Sequence, residues 1–375
     1  MSTSQAQNIS SRLGFLDWTR GLAAVIMLQG HVFHSLTAKE LRQDGPYVLS
    51  QFIGGITPAV FLFLTGVTLA FLLESRERKG QSRREAIFGG LRRAGYLATL
   101  AILFRLQLWI FAWGQSPWTD LLKVDILNQM ALSVALLSLT ALVPTLDRIR
   151  WAAMIGAGIA ALAPVMSVLD TGWVPPLLRS YFVPDYNHFA FFPWAAFVAF
   201  GVSAGSLLRS LRAEPLARIM QWSAVAGFAL ILAGQYFANL PYTIYHKSDF
   251  WLDSPALTFI KLGVILLIAA FAFLWNQQEA VQRWSWVRQL GTTSLIVYWV
   301  HIELVYGRWL GAWKESLPVP QTIAVAIAVI LLMLALSVLQ TQWKTKWRYQ
   351  TENWPAWARE YFAETQLSNR RVPGD

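Results

Sequence analysis

Leu16-Asp17-Trp18-Thr19-Arg20-Gly21-Leu22 opens an apolar run that closes on Gly30-His31-Val32-Phe33-His34. Two opposite charges begin it and two histidines end it. Ionisable groups are expensive beside lipid, so they are rare there and mark function when they occur. Asp17 and Arg20 lie three apart on one helical face, where they can neutralise each other. His31 and His34 repeat that spacing. At about 1.5 Å per residue, Asp17 and His31 stand roughly 21 Å apart, most of the thickness of a hydrocarbon core. One helix thus carries a charge pair towards one side of a membrane and acid/base groups towards the other.

Composition agrees with a membrane setting. Of the 375 residues, 55% are hydrophobic and 14% charged, where a soluble domain would have about a quarter charged. Apolar runs of spanning length fall at 14–35, 50–73, 94–113, 122–143, 151–169, 188–208, 219–237, 255–275, 291–310 and 319–340. The expected fold is an all-α polytopic protein with about ten transmembrane helices and both termini cytoplasmic. Its parts are a cytoplasmic segment 1–13, a ten-helix domain 14–340 and an interfacial, amphipathic tail 341–375. The first span is read as retained and not as a signal peptide, because no small-residue cleavage site precedes it.

Loop charge tests that orientation. With both termini inside, 21 of the 31 Lys and Arg fall in inner segments, led by Arg76, Arg78, Lys79, Arg83, Arg84, Arg92 and Arg93. Seven fall outside, and Arg20, Arg105 and Lys261 remain within spans. The threefold bias follows the positive-inside rule. The net charge of +10 therefore faces anionic lipid, and no nucleic acid partner is expected. Outer loops 36–49, 170–187 and 238–254 are long and rich in Trp, Tyr, Asp and Pro. They read either as a sugar-binding surface or as an interfacial aromatic belt. The absence of cysteine excludes disulfides and thiolate chemistry.

Candidate chemistry centres on His31, with His34 second. A neutral imidazole near the outer face can take a proton from a hydroxyl or amine; the alternative is a histidine satisfied within a helix bundle. Asp17 and Arg20 either anchor the helix or hold a phosphate-rich cytoplasmic ligand such as the nucleotide end of coenzyme A. Arg105 is the deepest strong charge and needs a carboxylate or an anionic ligand, and either it or Arg20 is expected near the cytoplasmic mouth of a tunnel. Asp185, Asn187 and His188 precede the sixth span. Tyr298 and His301 share a face of the ninth, where they can form a hydrogen-bonded pair lining a tunnel or a plain contact between helices. The five histidines show no metal-ligand spacing with carboxylates, so no metal site is read. Gly54 to Gly66 favours close helix packing, or else the lining of a channel for an acyl chain or pantetheine arm.

Leu16 to Leu22, Met27 to His31, Pro58-Ala59-Val60-Phe61-Leu62-Phe63-Leu64-Thr65-Gly66, Phe192-Pro193-Trp194 and Ser294 to His301 occur in that order. In these the chain resembles bacterial relatives of heparan-alpha-glucosaminide N-acetyltransferase, within the transmembrane acyltransferase superfamily, over roughly residues 14–340. The resemblance implies transfer of an acyl group, acetyl first among them, from cytoplasmic acyl-CoA to a sugar or glycan on the other side of a bacterial inner membrane. It implies that an outer histidine, best matched by His31, serves as base or transient acyl carrier. Many relatives carry an acidic residue before that histidine, where this chain has Gln29-Gly30. The expected partners are acyl-CoA as co-substrate, the sugar acceptor and membrane lipid. Homo-oligomerisation is left open, and no tightly bound cofactor is expected. The competing class is a secondary transporter or lipid flippase, although the paired broken helices of such proteins are not evident in the sequence.

Overall fold

The structure is a computed structural model that describes residues 3–43, 45–211, 214–278 and 284–352, with side chains from 14 to 346 within those ranges. The chain is an all-α polytopic membrane protein. Its helices, in chain order, are α1 (Thr3–Leu36), α2 (Gly45–Gly54), α3 (Thr57–Arg78), α4 (Arg83–Phe111), α5 (Ile126–Leu137), α6 (Thr145–Val168), α7 (Pro176–Phe182), α8 (Phe191–Ser210), α9 (Leu216–Ala238), α10 (Pro255–Trp275), α11 (Trp286–Thr292), α12 (Ser294–Tyr306) and α13 (Val319–Glu352). Among the described residues, eight helical stretches are long and apolar enough to cross a membrane. They coincide with eight of the ten expected runs. The two others are α1, diluted by its charges and polar groups, and the ninth run, which is interrupted.

Two of the expected spans are broken, for local reasons. The second divides into α2 and α3 around Gly55 and Ile56, and Pro58 sits in the first turn of α3, where its missing N–H costs nothing. The ninth divides at Thr293, which ends α11 and begins α12 with φ −117° and ψ 17°. The last span runs on through residue 340 to Glu352 as one helix, and residues 353–375 lie outside the described set. The Ser82 cap of α4 forms a reciprocal capping box with Glu85; the Ser82 backbone N–H and hydroxyl donate to its carboxylate and hold its pKa below the usual range.

The bundle has two packed regions. The larger joins α3, α5, α6, α8 and α10 around Leu62, Phe63, Phe197 and Ile265. The smaller lies between α1, α11, α12 and α13, built from Leu28, Val32, Leu290, Val297, Val305, Val329 and Met333. At one end, carboxylates of α3 tie three helices together: Glu74 pairs with Arg78 at 2.9 Å and Arg209 at 3.5 Å, and Glu77 pairs with the fully buried Arg148. At the other end, Glu315 joins Lys39 at 2.9 Å and Arg42 at 3.2 Å. The hydrogen bond from Lys39, with both cations nearby, holds the Glu315 carboxyl below its usual pKa. Those contacts, with Ala38 N–H donating to the Leu317 carbonyl at 3.0 Å, fasten the end of α1 to the connection after α12.

Candidate active site

The site begins with a register. Gly21 of α1 meets Gly291 of α11 so closely that a Cβ on either would overlap backbone of the other helix. Ten residues further along each chain segment, His31 meets His301. Four more bring the Ser35 hydroxyl to the Val305 carbonyl at 2.9 Å. A constant offset means that α1 and the α11–α12 pair run parallel, shoulder to shoulder. The paired glycines permit that approach, and the approach places the two imidazoles in contact.

His31 Nδ1 and His301 Nε2 are 2.9 Å apart, with ring centroids at 5.2 Å and planes within 14°. The other nitrogen of His301, Nδ1, lies 2.8 Å from the Val297 carbonyl. A carbonyl only accepts, so His301 Nδ1 carries a proton and donates it. With neutral rings, His301 Nε2 must then accept, and His31 Nδ1 must donate to it. His31 is left with its lone pair on Nε2. The two-ring chain therefore assigns the tautomer of His31 and orients it, a task that a carboxylate performs in many catalytic sites. His301 is fully buried, whereas His31 lines a cavity. Tyr306 packs edge-on against the His31 ring at 5.4 Å.

That cavity has a volume of about 1790 Å³ and is continuous. Arg20, Arg93 and Lys344 line one end; His31, Tyr47, His188 and Trp251 line the other. Arg20 is paired with Asp17 at 3.1 Å and stays half-buried. Eleven residues of α1 separate Arg20 from His31, about 16 Å of helix. Residues 13–339 match the family model described as an acyltransferase domain. The chain belongs to that acyltransferase family. With its apolar helices, it is a membrane acyltransferase. No curated protein matches the chain.

The structure of this acyltransferase brings together most of the residues singled out in the sequence. Arg20, His31, Arg105, Asp185, Asn187, His188 and Tyr298 all line the one cavity. The loop bearing Asp185 is folded over it: Asn187 N–H donates to the Asp185 carboxylate at 2.6 Å, and Phe189 N–H reaches the Val124 carbonyl at 3.4 Å. Tyr186 donates to Asp249 at 2.9 Å, joining two loops; burial first, then that carboxylate, raises its pKa. His34 is exposed, outside the cavity lining, and engaged by the Tyr47 hydroxyl at 3.3 Å. Its ring also meets Tyr306, at 6.1 Å, on which His31 packs.

The sequence left two alternatives open here. Tyr298 and His301 do not form a hydrogen-bonded pair: their rings meet edge-on at 5.8 Å, and both His301 nitrogens are already engaged by His31 and Val297. Arg105 does not stand beside Arg20. It pairs with Asp125 at 3.0 Å, near the end of α4 remote from its capped start, where the neighbouring Phe104 packs on Tyr298 at 5.2 Å. Asp125 reaches it because it caps α5, accepting from Leu127 N–H at 3.0 Å and Asn128 N–H at 3.2 Å. Sequence reasoning missed His301 as the partner of His31, and with it Asp125, Arg93 and Lys344 as parts of one cavity. A signal for the first was present: Gly21 to His31 and Gly291 to His301 have identical spacing.

Proposed function

We propose that this protein transfers an acyl group, acetyl in the first instance, from cytoplasmic acyl-CoA to a hydroxyl or amine of a sugar or glycan outside the membrane. The observation that carries this reading is the single cavity with cations at one end and an oriented His31 lone pair at the other. Arg20 and Arg93 suit the phosphates of the nucleotide, with Lys344 beside them. The roughly 16 Å to His31 is about the reach of a pantetheine arm and half of a hydrocarbon core. The thioester carbon and the nucleotide then occupy two depths of one tunnel.

The chemistry follows from the imidazole chain. His31 Nε2 takes the acceptor proton as the oxygen or nitrogen attacks the thioester carbonyl. The imidazolium that forms keeps its Nδ1–H on His301, which disperses the charge within a buried wall. Collapse breaks the carbon–sulfur bond, and the proton held on Nε2 passes to the departing thiolate to give free CoA. His188 and Asp185 at the same end suit contacts with the acceptor hydroxyls. The helix senses support the sidedness: α1 runs parallel to α12 and antiparallel to α10, as first, ninth and eighth spans would. With the inner bias of Lys and Arg, this supports a cytoplasmic Arg20 end, in a bacterial inner membrane of the kind the resemblance implies.

The test is CoA release from acetyl-CoA by the purified protein in lipid nanodiscs, with glucosamine and N-acetylglucosamine glycosides offered as acceptors. Acceptor-dependent release that disappears in His31→Ala is the expected result. Release unaffected by that substitution, or none with any acceptor while acetyl-CoA binds, refutes the reading.

A further inference from the structure

Lys261 differs from the arginines that enter the bundle with a carboxylate beside them. Arg20, Arg105, Arg148 and Arg209 each have a carboxylate partner. Lys261, in the first third of α10, has no carboxylate within 4.0 Å of its ammonium among the described residues, and the face of Trp194 lies 5.0 Å from it. Both side chains line the cavity. A ring face attracts a cation but does not neutralise it. An ammonium kept in an apolar wall without a counter-ion is costly, and such groups in membrane segments serve a ligand.

Depth locates this cation near the reacting end. Phe15 packs on Phe273 at 6.3 Å and Trp18 on Phe271 at 5.8 Å, so α1 and α10 are antiparallel. From that level His31 is thirteen residues along α1, about 20 Å, and Lys261 is ten residues back along α10, about 15 Å. The two stand within about one helical turn of the same depth. Charge then decides what Lys261 awaits. Arg105 pairs with Asp125, and Asp185, the other carboxylate lining this end, keeps to His188 at 3.8 Å, so among the described residues Lys261 is left as an unpaired positive charge in this part of the wall. One such charge matches a monoanion, whereas a phosphate dianion would bring a surplus negative charge into a low-dielectric site.

The geometry points to a ligand carboxylate as the partner of Lys261: the group handled beside His31 carries one negative charge, either a uronate on the acceptor or the far carboxylate of a dicarboxylic acyl group. The inference rests on the acyltransferase reading for what enters the cavity. Trp194 then acts as a platform that holds the lysine stem and fixes the ammonium while the site is empty. The two sources of the carboxylate would sit on opposite sides of the transferred bond, so paired probes separate them.

The experiment measures binding by thermal shift and titration on the full-length protein, without turnover. Methyl glucuronide is compared with methyl glucoside, and succinyl-CoA with acetyl-CoA. The expected result is a preference on the order of tenfold or more for the carboxylate probe in one of the two pairs. Preference within the glycosides identifies the acceptor as the anion; preference within the thioesters identifies the acyl group. Lys261→Met keeps the stem, removes the charge and erases the preference, while Lys261→Arg retains it. No preference in the unmodified protein, or one that survives in Lys261→Met, overturns the assignment. A protein that binds the carboxylate probe through Lys261 yet releases no CoA when that probe is itself supplied as acceptor or donor refutes the transfer reading and not this one.

Discussion

Replacing His301 with leucine isolates what the second imidazole does. Leucine has a similar volume and an apolar surface, so the buried site is filled, and the Val297 carbonyl keeps its ordinary helical partner. What disappears is the acceptor 2.9 Å from His31 Nδ1. A buried N–H left without a partner costs about 1–3 kcal/mol, and each 1.4 kcal/mol is a factor of ten in an equilibrium. If that cost falls on the oriented form of His31, its population drops between roughly fivefold and 150-fold. The expected outcome is a fall in kcat of about 10- to 100-fold, with the KM for acyl-CoA unchanged because the Arg20 end is about 16 Å away. His31→Ala should lose more, on the order of 10²- to 10⁴-fold, since it removes the base itself. The double variant should be no worse than His31→Ala, because His301 acts only through His31. Turnover by purified variants, with thermal stability measured beside it, decides the matter. A normal kcat in His301→Leu, or a double variant whose loss is the product of the two single losses, refutes the relay.

Other substitutions probe the frame around that pair. Asp17→Asn leaves Arg20 without its carboxylate in the cavity wall, and after allowance for its partial exposure the expected loss is about 1–2 kcal/mol of stability, read as a lower melting temperature and a lower yield. Arg20→Gln removes a charge-assisted phosphate contact, so the KM for acyl-CoA should rise by about tenfold or more while kcat changes little; an unchanged KM would detach Arg20 from the nucleotide. Gly291→Val drives a side chain into the backbone of α1, with an expected cost of about 1–3 kcal/mol or more and loss of turnover through separation of His31 from His301. Gly95→Val, at a position with open space around its Cα, is the matched control and should leave both properties near normal.

How much of this was readable in advance can be judged residue by residue. The membrane fold was legible because spanning helices need long apolar runs, and the loops betray themselves by charge; the eight helices that meet the spanning criteria fall on runs visible in the sequence. His31 was legible as a candidate because a titratable ring in an apolar run is costly enough to stand out. Asp17 and Arg20 were legible as a pair because their spacing is local to one helix, and the structure joins them at 3.1 Å. Contacts between distant segments were not. His31 and His301 are 270 positions apart, and their meeting depends on a glycine-to-glycine approach that only three dimensions provide. The same holds for Arg105, whose partner Asp125 comes from the next span's first turn, and for Lys261, which meets no carboxylate within 4.0 Å among the described residues. Local periodicity and transfer cost act within a single segment, so the sequence alone determined the helices, their membrane character and the residues too polar to be there by chance. Packing couples segments, and so the tertiary structure alone decided which imidazole orients which, which charges cancel, and which one still lacks a counter-ion.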